Sequence, residues 1–282
     1  MKVFHAQSQL KQHLQPFLKA KQTIGFVPTM GAIHNGHLSL LQQAMNENDV
    51  VVLSIFVNPT QFNNVEDLEK YPRTLQKDLE LTEALSNKII VYAPTVDDIY
   101  KGNTVAQNFD YDGLDNEMEG VNRPGHFDGV GTIVKKLFEI IEPTKAYFGE
   151  KDFQQLQIVR KMVQKNNMNI EIVGCPIFRQ ENGLAMSSRN ERLSDQAKEK
   201  AAFIYKTLQS AKDLFNDKDV KDSVNFVVDA FANEVDFTLE YFIIADEASL
   251  KTATVKEPGK KYRGFIVVHI EEVRLIDNIA LN

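Results

Sequence analysis

The sequence predicts an α/β fold, a doubly wound parallel sheet with a second, smaller α+β domain at the C-terminus. Three observations predict it. Five short β-like runs stand out in the first two thirds: Ile24 to Val27, Val50 to Val57, Ile89 to Ala93, Ala146 to Phe148 and Ile170 to Val173. Helix-length segments with apolar residues three and four apart lie between most of them. Leu38, Leu41 and Met45 follow the first run; Ile133, Val134, Leu137, Phe138 and Ile141 precede the fourth; Leu156, Val159 and Val163 precede the fifth. Finally, the pattern changes after Pro176. Ser194-Asp195 caps an expected helix to about Phe215, a second helix is expected from Asp219 to Asn233, and alternating strands follow near Phe237 to Ala245 and Phe265 to Val273. The domains are therefore set at residues 1–175, Rossmann-like, and 176–282.

Each early strand ends in polar or backbone-special residues. The first meets Pro28-Thr29-Met30-Gly31, the second Asn58-Pro59-Thr60-Gln61, and the third Pro94-Thr95 with Asp97-Asp98. The fourth meets Gly149-Glu150-Lys151-Asp152 and the fifth Gly174-Cys175-Pro176. Open α/β sheets bind ligands beyond the carboxyl ends of their strands, so this clustering marks a ligand crevice.

Composition narrows the class. No apolar run reaches the roughly 20 residues that span a bilayer. The polar N-terminus, Met1 to Leu14, lacks the apolar core of a secretory signal. Cys175 is the single cysteine, which excludes an internal disulfide and fits a reducing cytoplasm; a structural thiol is expected. A net charge of −7 with no long basic run argues against a nucleic-acid partner. A polyanion could bind only where positive charge is gathered locally.

One such place is Val27-Pro28-Thr29-Met30-Gly31-Ala32-Ile33-His34-Asn35-Gly36-His37. Strand, glycine-bearing loop and helix start follow in order, and a helix N-terminus suits phosphate. His34 and His37, three apart, share a helix face, and each could donate an imidazole N–H. Gly36 leaves room for a base or ribose. The G-x-G-x-x-G of dinucleotide folds and the Gly-Lys-Ser/Thr of P-loops are both missing, and no further metal ligand lies nearby in sequence. A second place is Gly183-Leu184-Ala185-Met186-Ser187-Ser188-Arg189-Asn190, where two hydroxyls and an arginine could cradle phosphate oxygens.

Together the two elements resemble the nucleotidyltransferase superfamily with HIGH-type and KMSKS-type motifs. Further segments make the resemblance closer. Phe56-Val57-Asn58-Pro59-x-Gln61-Phe62, Tyr71-Pro72-Arg73, Arg123-Pro124-Gly125-His126-Phe127, Gly149-x-Lys151-Asp152-x-Gln154-Gln155 and Met186-Ser187-Ser188-Arg189-Asn190 are all similar to the pantothenate synthetase family, over nearly the whole chain.

The resemblance implies an enzyme that condenses pantoate with β-alanine through a pantoyl adenylate, releasing pyrophosphate and AMP. The chemistry requires activation, because a carboxylate has no good leaving group until it becomes a mixed anhydride. It needs charge neutralisation on the phosphates and no enzyme nucleophile. By resemblance, His34, His37, Lys151, Ser187, Ser188 and Arg189 are the catalytic set. Met30, Gly31, Ala32, Gly36, Gly149, Asp152, Phe178 and Met186 join them around ATP. Pro28, Thr29, Met30, Asn58, Gln61, Arg123 and Gln155 are assigned to substrate, with Gln61 and Gln155 as the pantoate clamp. Mg2+ is expected with ATP, with Asp78 at most an outer contact. A homodimer is implied. His126 is expected to be structural, His269 a partly buried strand residue, and His5 and His13 surface residues. Another adenylyl transferase and a non-catalytic ATP-binding module are the competing readings.

Overall fold

The computed structural model covers residues 1–282. The chain forms two compact units: Met1–Glu150 with Gln154–Pro176, and Lys151–Phe153 with Ile177–Asn282. The short segment around Lys151 thus clusters with the C-terminal unit, although in sequence it falls within residues 1–175.

The first unit is built on a six-stranded sheet. Its strands are β1 (Lys2–Phe4), β2 (Ile24–Thr29), β3 (Val50–Ile55), β4 (Ile90–Tyr92), β5 (Lys145–Gly149) and β6 (Glu171–Cys175). They lie in the order β1-β4-β3-β2-β5-β6, every neighbouring pair parallel. Helices cover both sides: α1 (Gln7–Lys19), α2 (Asn35–Glu47), α3 (Val65–Lys70), α4 (Leu75–Leu85), α5 (Val96–Tyr100), α6 (Met118–Asn122), α7 (His126–Ile141) and α8 (Phe153–Lys165). Burial on both faces explains why β3 reads as an unbroken run, Val-Val-Val-Leu-Ser-Ile, with every residue buried. Helix α2 places Leu40, Leu41 and Ala44 against Val27, Leu53 and Val91 of the sheet. From β2 the chain builds outward through β3 and β4, and then crosses to β5 on the other side of β2. The strand order therefore reverses at β2, where a doubly wound sheet opens its crevice. β1 escaped sequence reading because three residues carry no usable period.

The second unit holds a three-stranded antiparallel sheet of β7 (Phe237–Asp246), β8 (Tyr262–Ile270) and β9 (Val273–Ala280). Two helices pack on it, α9 (Asp195–Asp217) and α10 (Val220–Ala232). Ser194 caps α9 as the sequence suggests, accepting from the Ala197 N–H at 3.1 Å; Asp219 caps α10, accepting from the Asp222 N–H at 2.7 Å. Ala201, Ile204, Leu208, Val227 and Phe231 meet Phe242, Ile244, Ile266 and Val268 in the core. The strand expected from Phe265 to Val273 is corrected. The chain turns at Glu271-Glu272, and Val273 opens a separate strand. Glu271 takes a left-handed φ of 50° without the glycine or asparagine that announces such a turn. No helix is long and apolar enough to cross a membrane.

Candidate active site

At the carboxyl end of β2, Gly31 and Ala32 adopt φ of 86° and 49°. A Cβ on Gly31 would lie 3.0 Å from Asp78 Oδ2 and 3.2 Å from the Ile55 side chain, so glycine is required there both by conformation and by space. Left-handed Ala32 costs about 1–2 kcal/mol. The buried Asp78 carboxylate on α4 offsets this by accepting the N–H groups of Ala32 at 3.0 Å and Ile33 at 2.8 Å. The Thr74 hydroxyl adds a third bond at 3.2 Å. Asp78 is therefore a scaffold for this loop.

The loop delivers His34 to the N-cap of α2 and His37 to its first turn. The rings stack with centroids 4.0 Å apart and planes 22° apart. His37 Nδ1 accepts from the His34 backbone N–H at 3.4 Å, which leaves the proton of a neutral His37 ring on Nε2. The Thr29 hydroxyl ties β2 to β3 by donating to the Ser54 carbonyl at 2.7 Å.

Beyond β3, the 3-10 turn Pro59–Gln61 carries a buried amide pair, with Asn58 1 % and Gln61 9 % exposed. Asn58 Nδ2 donates to Gln61 Oε1 at 3.1 Å and to the Gly129 carbonyl at 3.2 Å. Gln61 Nε2 donates to the Met30 sulfur at 2.9 Å. The Gln61 backbone carbonyl is held by His126 Nδ1 at 2.8 Å and by Arg123 Nη2 at 3.4 Å, and Arg123 Nη1 reaches His126 Nε2 at 3.3 Å. Helix α7 meets the turn backbone to backbone: a Cβ on Gly129 would fall 2.2 Å from the Thr60 carbonyl oxygen. Further along, α8 distinguishes its two glutamines. Gln154 is buried and spends its amide on the Leu114 and Glu117 carbonyls and the Glu119 N–H, whereas Gln155 is half-buried.

The second unit assembles its own cluster. A small cleft is lined by Lys151, Ser187, Arg189 and Arg274, with Asn190 and Asp277 at its wall. Asn278 on β9 fixes Lys151 by donating Nδ2 to its carbonyl at 2.9 Å. Asn278 Oδ1 in turn accepts from Arg263 Nη1 at 2.7 Å, and Arg263 Nε donates to Glu247 at 2.8 Å. The Arg263 guanidinium also lies 4.0 Å from the Phe153 ring centroid, and Phe153 packs on Phe265. Ser187 accepts from the Arg189 N–H at 3.2 Å, and Asn190 clamps the Ala185 carbonyl at 3.0 Å. Phe178 and Met186 face each other across a hairpin, joined by a 2.9 Å backbone bond. Its register is locked by Arg179, which forms a two-pronged pair with buried Asp277 at 2.6 and 2.9 Å and stacks on Tyr205. At the rim, Arg274 and then His269 hydrogen-bond Glu240 and hold its carboxyl at about 2.

The family model for pantoate–β-alanine ligase matches residues 2–280. The chain belongs to the pantoate–β-alanine ligase family. A pantothenate synthetase of Flavobacterium psychrophilum is 60 % identical over 281 residues, covering 100 % of both chains. The crystal structure of a pantothenate synthetase from Thermus thermophilus superposes with a TM-score of 0.90 at 36 % identity, covering 100 % of this chain and 99 % of that one. A pantoate–β-alanine ligase from Francisella tularensis, solved with β,γ-ATP and β-alanine, matches at 35 % identity with a TM-score of 0.79, covering 100 % and 98 %.

In this ligase the structure gathers Met30, Asn58, Gln61 and Arg123 into one network, pairs His34 with His37, and places Lys151, Ser187 and Arg189 around one cleft. Ser188 opens the turn that runs to Arg192. Gly149 ends β5 with nothing within 4 Å of a would-be Cβ, so packing does not demand glycine there. His126 is buried and holds the Gln61 backbone carbonyl. His13 is half-buried and stacks on Phe4, with burial lowering its pKa, so it is not merely a surface residue. Sequence reading missed Tyr100, Asn278 and Arg263. Each acts through a neighbour far away in the chain, and no local pattern reveals that.

Proposed function

We propose that the chain condenses pantoate with β-alanine through a pantoyl adenylate, using ATP and releasing pyrophosphate and AMP. The observation that carries this is the Gln61 amide. Its oxygen accepts from Asn58 and one of its N–H groups goes to the Met30 sulfur, so the second N–H is what it offers to a ligand. A neutral donor holds a carboxylate while leaving it more nucleophilic than an arginine fork would. Gln155 completes the clamp, and Pro28, Thr29 and Met30 border it. Arg123 supports Gln61 from behind.

His37 Nε2 and His34 donate to the triphosphate. Lys151, Ser187, Ser188 and Arg189 neutralise the charge that shifts onto the leaving pyrophosphate, and Lys151 is suited to this as a flexible point charge. Gly31, Ala32, Gly36, Gly149, Phe178 and Met186 border the nucleotide, and Asp152 meets the ribose or orients Lys151. The Ala32 N–H is spent on Asp78, so Ala32 contributes its shape. Asp78 is spent in the same way on the Ala32 and Ile33 N–H groups. Mg2+ would come with ATP and supply charge neutralisation on the triphosphate. The resemblance supports a homodimer, and the lone thiol supports a cytoplasmic setting.

The test is pyrophosphate release from ATP and Mg2+. Release is expected only with pantoate, and AMP and pantothenate are expected to accumulate once β-alanine is added. Pyrophosphate release indifferent to pantoate would sink the reading.

A further inference from the structure

Gln61 owes its orientation to a chain of bonds that ends outside the residues assigned to substrate. Tyr100, the last residue of α5, is 3 % exposed and donates its hydroxyl to Asn58 Oδ1 at 2.6 Å. The Thr60 hydroxyl lies 3.2 Å from the same oxygen and 3.0 Å from the Tyr100 hydroxyl. Phe56 packs near the Tyr100 ring at 6.5 Å, and Lys136 Nζ lies 5.5 Å from its centroid.

The direction of every bond follows from chemistry. A side-chain amide can be turned end for end at little geometric cost, and only its partners decide which end is which. Here both ends of the chain are pinned by groups that cannot donate. The Gly129 carbonyl accepts from Asn58, so that end of Asn58 must be its NH2. Its oxygen then faces Tyr100, which has a proton to give. The Met30 thioether accepts from Gln61, so that end of Gln61 must likewise be its NH2. The two amides are thus locked head to tail. Burial raises the pKa of the Tyr100 phenol, so the hydroxyl remains a donor throughout the neutral range.

We propose that Tyr100 is a positioning residue for acid recognition: through Asn58 it holds Gln61 with its second N–H, the one not given to Met30, presented to a pantoate carboxylate or hydroxyl oxygen. The proposal rests on the assignment of Gln61 to pantoate. Without the phenol, Asn58 Oδ1 keeps the longer Thr60 contact, and the Asn58–Gln61 pair, still anchored at Gly129 and Met30, gains freedom to rock. Tyr100 reaches neither nucleotide nor pantoate in this account, so its removal must act through Gln61 alone.

The test is a double-mutant cycle on the full-length enzyme, with initial rates measured against each substrate in turn. Tyr100→Phe keeps the ring and its packing, and a melting curve verifies that it folds. It is expected to raise the pantoate KM about five- to tenfold, the scale of one net hydrogen bond. The KM values for ATP and β-alanine should stay within about twofold by the same argument. In a Gln61→Ala background, Tyr100→Phe should change the pantoate KM by less than about twofold, because its route is gone. A pantoate effect in Gln61→Ala but none in Tyr100→Phe overturns the positioning role alone. So does a Tyr100→Phe effect that multiplies independently of Gln61, or one that spreads over all three substrates. A Gln61→Ala enzyme with unchanged pantoate KM overturns the clamp and the positioning role together.

Discussion

The Gln61 network and the Lys151 cleft are built by opposite means. The groups that fix the Gln61 side chain are neutral and locked: two buried amides, a phenol, a thioether and a glycine pressed against the turn, with Arg123 reaching the Gln61 backbone carbonyl. Around Lys151 the groups are cationic and more open. Lys151, Arg189 and Arg274 line the cleft; Asn278 holds the Lys151 carbonyl, and Glu240 pairs with Arg274. The difference fits the two jobs proposed for these regions. A carboxylate that must attack loses nucleophilicity when a full positive charge holds it, so orientation has to come from fixed dipoles. A departing pyrophosphate gains charge, which cations lining a cleft can offset.

Predictions that test this division run from large effects to small. Lys151→Ala is expected to lower kcat roughly 10²–10³-fold, the loss typical of a transition-state donor, with the pantoate KM within about twofold. If pantoate affinity fell in parallel, the division of labour would be wrong. Gln61→Ala should do the reverse, raising the pantoate KM about tenfold or more while sparing the ATP KM, since a hydrogen bond to a charged group contributes about 1.5–3 kcal/mol. Asn278→Ala removes one bond from the Lys151 carbonyl and one from Arg263 Nη1, while Glu247 still holds Arg263. It should cost about 1–3 kcal/mol in denaturant unfolding and weaken ATP use several-fold without touching pantoate.

At the rim of the cleft, Glu240 is held at about 2 against an ordinary 4.5, first by the Arg274 hydrogen bond. A lowered carboxyl stabilises the fold above its ordinary value, and that contribution is lost as pH falls towards 2. Because the pair is partly open to solvent, Glu240→Gln should cost only about 1 kcal/mol near neutrality. The deficit measured by melting should shrink between pH 4.5 and 2. Smallest of all, Cys175 is 3 % exposed, and burial pushes its thiol up to about 12. The native protein should resist alkylation at pH 8, while the denatured chain reacts; rapid native labelling would mean that β6 opens readily.

The sheet was legible wherever burial on both faces leaves an unbroken apolar run, as in Val50 to Ile55. It was illegible where an element is too short, as in β1, or where a turn lacks its usual residue, as at Glu271-Glu272. The paired histidines and the Ser187–Arg189 turn could be read because each is contiguous in sequence. Their supports could not. Asp78 reaches Ala32 over 46 positions and Asn278 reaches Lys151 over 127. Such separations carry no period, and a buried aspartate reads as a surface charge until its partners are seen.

The three-residue segment Lys151–Phe153 has a consequence for how such a chain can be divided. It is threaded into the C-terminal unit, where Phe153 fits between Arg263 and Phe265. A fragment of residues 177–282 would present an empty slot where that ring belongs, and a fragment ending at Pro176 would carry Lys151 with no anchor. The halves are not interchangeable cassettes. A chimera of two such enzymes joined at the obvious boundary would have to inherit residues 151–153 from the same parent as its C-terminal strands.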